Sequence, residues 1–191
     1  MNDRTNDETP AIASPSRRAF HAHLGQLVHR AVATCLTESR RLGRDPVDLR
    51  RMVVARVLEL DPLRADRRRG LLLLGSMVNV YLRRYNRPAP WTLLAAERRT
   101  SSGRRIDLLF GHTGSGEVVT DELKTASVGV GYVTSAEREQ LLAHFADMRH
   151  EFGRSFLGVR LVHLGPPSHA TLYATEADLD TIDAPFPGRV A

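Results

Sequence analysis

A mixed α/β fold is predicted for this chain, with a helical N-terminal part and a central sheet of about five strands flanked by helices. Three observations carry that prediction. Apolar residues recur at helical spacing through roughly the first 85 positions, the pattern turns strand-like after "NRPAP", and one later helical segment interrupts the strands.

Residues 1–15, "MNDRTNDETPAIASP", are polar with two prolines, which predicts a disordered tail. From Ser16 to about Leu42, residues Leu24, Leu27, Val28, Ala31, Val32, Cys35, Leu36 and Leu42 define a helix. "GRDP" ends it, and Asp45-Pro46 starts a second helix reaching about Leu60. A third, covering roughly Arg69 to Tyr85, is apolar enough to be central. Residues 91–99, 104–110 and 117–125 read as strands, with "GHTGSG" as the hairpin turn between the second and third. Thr134 and Glu137 form a T-x-x-E capping box that starts a helix to about Phe152. Two strands follow, "FLGVRLVHL" and "ATLYAT", separated by Pro166-Pro167, and the chain is expected to be loose at 184–191. One domain over 16–183 is expected, with a helical part at 16–87 and a sheet core at 88–175.

Composition narrows the functional classes. The chain has 191 residues and a net charge of +5, which favours an acidic partner such as nucleic acid. The single cysteine, Cys35, excludes an internal disulfide and any four-cysteine metal or iron–sulfur site, and its place on an apolar helix face reads as core packing. No apolar run reaches the length of a membrane span, and the N-terminus lacks the order of a secretory signal, so a cytoplasmic protein is expected.

Lys124 is the only lysine; the other 26 basic residues are arginine. Arginine is a flat, permanently charged fork, whereas lysine is a compact point charge whose proton can be tuned. A lysine kept alone therefore suggests a place that cannot use the fork. Strand alternation puts Glu122 and Lys124 on one face and Asp121 on the other. On the preceding strand Ile106, Leu108 and Phe110 share a face, with Asp107 opposite to them. If the hairpin turns symmetrically between Gly114 and Ser115, Asp107 falls across from Glu122. Two carboxylates that close repel each other. Lys124 or a divalent cation with oxygen ligands can relieve the repulsion, and a surface Asp–Lys–Glu salt-bridge patch is the plainer alternative.

"GRRIDLLF…GEVVTDELKTA" resembles the core of the PD-(D/E)xK nuclease superfamily, in its RecB-like branch. The resemblance implies a restriction-endonuclease-like core in which Asp107 and Glu122 hold a metal and Lys124 is the catalytic lysine. "GQLVHRA" is similar to the branch's first-helix motif, with Gly25 and His29 one turn apart on one face; the resemblance makes His29 a metal ligand, and a partly buried structural histidine is the alternative. "EQLLAHF" resembles the branch's Q-x-x-x-Y helix, which helps hold DNA. It implies that Gln140 binds substrate, whereas His144 stands where tyrosine is usual and can equally be a helix-surface residue. "LLAAERR" resembles a strand carrying a glutamate, and Glu97 is expected to anchor an arginine in preference to binding a second ion. The sequence departs from the pattern in two ways. An extra arginine lengthens the spacing from Gly103 to Asp107, and the cysteines that hold an iron–sulfur cluster in some relatives are missing.

These expectations point to a Mg²⁺-dependent deoxyribonuclease, exo- or endonucleolytic, in repair, mobile-element biology or antiviral defence, with Mn²⁺ able to substitute. Asp107, Glu122 and His29 would bind the ion, with the Leu123 carbonyl completing the set as the resemblance suggests. Arg67, Arg68, Arg69, Arg83, Arg84, Arg98 and Arg99 would form a phosphate track, and base stacking is possible at Tyr81, Tyr85 or Tyr132. The competing expectation is a catalytically inactive or partner-dependent nucleic-acid-binding subunit of the same fold. The absence of a recognition module from the sequence favours a protein partner that supplies specificity.

Overall fold

The computed structural model describes residues 17–62, 67–125 and 133–180. The expected tails at 1–15 and 184–191, together with Tyr132 and the side chains of Arg67 and Arg69, lie outside the described residues. Three helices come first: α1 (Arg17–Leu42), α2 (Pro46–Leu60) and α3 (Arg67–Val80). Asp45 caps α2 by accepting from the Val47 N–H, with Pro46 in the first turn as expected. The third helix does not run on to Tyr85 as a regular α-helix. Tyr81–Tyr85 is wound as a π segment. Nor is it uniformly central, because Leu74 and Val78 are buried whereas Leu71 and Leu72 are exposed.

The strands are β1 (Trp91–Arg99), β2 (Arg105–His112), β3 (Val118–Lys124), β4 (Phe156–His163) and β5 (His169–Tyr173), joined in the order β1-β2-β3-β4-β5. All neighbours are antiparallel except β3 and β4, whose parallel pairing requires the crossover that α4 (Ser135–Phe152) provides. The capping box forms: Thr134 Oγ1 accepts from the Glu137 N–H at 3.2 Å, and Glu137 Oε2 accepts from the Thr134 N–H at 2.9 Å. A short helix, α5 (Glu176–Asp180), was not foreseen; Asp178 accepts the N–H groups of Ala174 and Thr175 at its start.

Two apolar clusters sandwich the sheet. Leu24, Leu27, Val28 and Cys35 of α1 pack with α2, α3 and the inward face of Leu108, Phe110, Val119 and Leu123. On the other side Leu141, Phe145 and Met148 of α4 pack on Leu109, Val118, Val159 and Leu161. Ile106, expected to share the face of Leu108 and Phe110, joins the α4-side cluster instead. It sits opposite Arg98, one residue beyond a left-handed backbone turn at Glu97. Cys35 is fully buried, as its helix face implied, and burial pushes its thiol up to about 12. Among the described residues no helix is long and apolar enough to cross a membrane.

Candidate metal centre

The β2–β3 register is the one a symmetric turn implies. The pairing runs from Gly111 and Val118 to Leu108 and Asp121 and ends there; one step beyond, Asp107 reaches β3 through its side chain, with Oδ2 accepting the Leu123 N–H. On the other side of β2, Ala96 pairs with Leu108 and Arg98 with Ile106, which sets Glu97 across from Asp107. Glu97 and Asp107 thus sit in adjacent cross-strand positions at one end of the sheet. Like charges so placed destabilise a sheet, a cost that a bound cation would offset. Glu122, expected to share the ion with Asp107, is not in the group of close ligand atoms and is held by Gln140 and His144 of α4 instead.

Two layers close over that end. From the helical layer, α1 crosses the end of β3, and a Cβ at Gly25 would lie 3.1 Å from Thr125 Oγ1. A side chain at Gly25 would require Thr125 to give way by a few tenths of an ångström. The close passage brings His29, one turn later, to Asp107, with Nδ1 and Oδ1 3.0 Å apart. From the opposite layer, α4 supplies Gln140 and His144. Gln140 donates to Glu122 Oε1 at 2.6 Å and accepts from Lys124 Nζ at 2.9 Å. Lys124 Nζ also donates to Glu122 Oε1 at 3.0 Å. His144 is not a helix-surface residue. It is buried, and its Nδ1 lies 3.5 Å from Glu122 Oε2, because the face that carries Leu141 and Phe145 turns it onto the sheet.

The charges are strongly coupled. Burial alone would raise Asp107, but its hydrogen bond and charge contact with His29, the Leu123 N–H and Lys124 together hold it below the usual carboxylate range. Leu123 donates that backbone N–H to Asp107 Oδ2 at 2.8 Å, so its amide, as well as any role of its carbonyl, fixes the aspartate. Burial lowers His29, yet the Asp107 bond and the surrounding carboxylates outweigh it and raise the imidazole. Burial and then the neighbouring Asp107 push Glu122 up to about 7, against the pull of Lys124. Burial lowers His144, keeping it neutral.

Ligand atoms of His29, Glu97 and Asp107 lie within 4.8 Å of one another. Glu97, expected mainly to anchor an arginine, does so through Oε2 to Arg105 at 3.0 Å, but its Oε1 is buried with no hydrogen-bond partner. Its backbone φ is +52°, a conformation that costs a non-glycine residue about 1–2 kcal/mol. Glu122 Oε2 is likewise buried without a hydrogen bond, and it faces His144 Nδ1, which also lacks one, at 3.5 Å. Orphaned carboxylate oxygens are expensive unless something positive meets them. The hard oxygens and the imidazole suit Mg²⁺ or Mn²⁺, so this donor set fits a divalent cation. The sequence missed the closeness of Glu97, because only the left-handed turn and the β1–β2 register bring it there.

Asp121 serves a different purpose. It faces the helical layer, fully buried, and accepts from Tyr81 at 2.7 Å, from Arg87 at 3.0 Å and from Arg160. Tyr81 is therefore locked in the core, which removes the possibility of its stacking on a base; Tyr85 packs against the same core. The expected arginine track is also dispersed. Arg83 bonds Asn79, Arg84 bonds Ser168, Arg98 pairs with Glu151, and Arg99 bonds the Gly103 carbonyl. Beside this cluster a cleft of about 650 Å³ opens along α1, and among the described residues its arginines are Arg30 and Arg105. No family model fits the chain, and no curated protein is significantly similar to it.

Proposed function

We infer that this site is the centre of a metal-dependent nuclease that hydrolyses phosphodiester bonds in DNA. The observation that carries this inference is the cluster of His29, Glu97 and Asp107, with a buried Glu97 oxygen that lacks a hydrogen bond, beside Glu122 and the only lysine in the chain. The resemblance of "GRRID", "ELK" and "GQLVH" to the RecB-like PD-(D/E)xK pattern supports the same reading and a restriction-endonuclease-like core.

His29, Glu97 and Asp107 would hold the ion, with Glu122 held beside them by Lys124 and Gln140. A divalent ion there supplies a water of lowered pKa and charge neutralisation at the phosphoryl group. The protein does the rest. Asp107 is kept ionised by His29, Lys124 and the Leu123 N–H. Lys124 is an ammonium with three N–H donors, two of them tied to Glu122 and Gln140. The third is left to orient the attacking water or to meet the developing negative charge. Arginine's wider fork would not sit between two acceptors at 2.9 and 3.0 Å in that way. Gln140 holds Glu122 and Lys124 in register, which makes it a positioning residue as well as a candidate substrate contact.

The test is cleavage of end-labelled linear and circular DNA, single- and double-stranded, and of RNA, with Mg²⁺, Mn²⁺ or EDTA. Metal-dependent cleavage that disappears in Lys124→Ala and Asp107→Asn is expected. Equal cleavage by those variants would overturn the inference and leave a binding subunit as the better reading.

A further inference from the structure

One strand beyond Lys124 lies a pair of histidines that the chemistry above does not use. β4 runs parallel to β3 with His163 beside Lys124, and β4 and β5 set His163 directly opposite His169. The two imidazoles stack, with ring centroids 4.5 Å apart and planes 17° from parallel. His163 is 1% exposed, and neither of its ring nitrogens has a hydrogen-bond partner. Both nitrogens are polar, so their burial without partners costs folding free energy that a ligand would recover. His169 is half-buried and differs. Its Nδ1 lies 3.2 Å from the Pro167 carbonyl oxygen, which can only accept. Nδ1 therefore carries the proton, and Nε2 presents a bare lone pair. An N–H given to a backbone carbonyl is the arrangement that fixes the ring of a metal-ligating histidine.

We propose that His163 and His169 form a second metal site, selective for a borderline ion such as Zn²⁺, that clips the edge strand β5 to β4. Two nitrogens that each lie about 2.0–2.1 Å from one zinc are at most roughly 4 Å apart. Rings stacked at 4.5 Å reach that separation by a slight tilt. Burial, His169 and Lys124 together lower His163, so its imidazole is neutral and a nitrogen lone pair is free to coordinate. Glu137, in the first turn of α4, is the acidic group whose charge reaches His163, and it brings a carboxylate to the same place. Ligand type separates this pair from the cluster of His29, Glu97 and Asp107. Imidazole nitrogens suit Zn²⁺, Cu²⁺ or Ni²⁺, whereas Mg²⁺ demands oxygens. Among the described residues β5 spans five positions and pairs on one side only, so the clip holds the strand with the fewest other restraints. None of this depends on nucleic-acid cleavage.

The test is a Zn²⁺ titration of the full chain in excess Mg²⁺, followed by calorimetry, thermal melts and NMR of the imidazole nitrogens. Asp107→Asn disables the His29, Glu97 and Asp107 cluster and is expected to keep a Zn²⁺ site. Adding His169→Phe preserves a stacked ring but removes the nitrogen, and should lower the remaining Zn²⁺ affinity by at least about 10-fold. Zn²⁺ should raise the melting temperature of Asp107→Asn and leave that of the double variant unchanged. In the wild type, Zn²⁺ should move the ring-nitrogen signals of both His163 and His169, a readout that needs no substitution. Equal Zn²⁺ affinity with and without His169→Phe would overturn the proposal. So would His163 and His169 signals that stay in place at saturating Zn²⁺, or an Asp107→Asn protein that binds no Zn²⁺.

Discussion

Glu97 stands across from Asp107 on adjoining strands, and its backbone adopts a left-handed turn that brings its carboxylate within 4.8 Å of ligand atoms of both Asp107 and His29. Backbone strain and like-charge crowding coincide at one residue. Strain of this sort persists where the surrounding structure enforces it, and it clusters at functional sites. Glu97→Gly should therefore relieve both costs and raise the melting temperature of the metal-free protein, while lowering Mn²⁺ affinity by at least about 10-fold. Thermal melts with and without Mn²⁺ measure both effects; a destabilised variant with unchanged affinity would mean that Glu97 only anchors Arg105.

Glu122 carries the clearest pH dependence. Its carboxyl is raised to about 7 by burial and by Asp107, so the folded state holds its proton more tightly than the unfolded chain does. Its contribution to stability is complete below the ordinary carboxylate range and is lost as pH rises through about 7. Glu122→Gln removes that loss. The stability difference between Glu122→Gln and wild type, without metal, should grow from near zero at acid pH to roughly 3 kcal/mol at pH 8. Chemical denaturation across that pH range checks it, and a flat difference would contradict it.

Lys124→Arg preserves charge but not shape. Activity should fall about as far as in Lys124→Ala, with divalent affinity within a few-fold of wild type, because the ammonium group lies between Glu122 and Gln140 at 3.0 and 2.9 Å. Rescue of cleavage by arginine would make the solitary lysine a compositional accident.

The two neighbours Asp121 and Glu122 should part company under mutation. Asp121→Asn leaves Arg87 and Arg160 without their buried counter-charge and should cost about 3–5 kcal/mol of stability. Denaturant melts of Asp121→Asn beside Glu122→Gln test this, with opposite signs expected.

Strand alternation and the turn centre were local properties, so the sequence could set the β2–β3 register and turn Asp121 away from Glu122. The capping box was equally local, and the structure brings His29 to Asp107, a meeting that the family resemblance implied and the spacing alone did not. What escaped was set by packing between layers. The left-handed Glu97, the burial of His144 beneath α4 and the locking of Tyr81 by Asp121 depend on which faces meet across the sheet. The arginines were illegible for a related reason. Long side chains find partners from distant segments, as Arg98 does with Glu151 and Arg104 with Asp147, and only the fold reveals which remain beside the cleft.

Anomalous diffraction from crystals soaked in Mn²⁺ bears most directly on the centre of all this. The expected map has a peak bonded to His29, Asp107 and at least one of Glu97 and Glu122, with the Lys124 ammonium beside it. A map without a peak there at saturating Mn²⁺, with Lys124 alone bridging the carboxylates, would contradict the metal centre and the chemistry built on it.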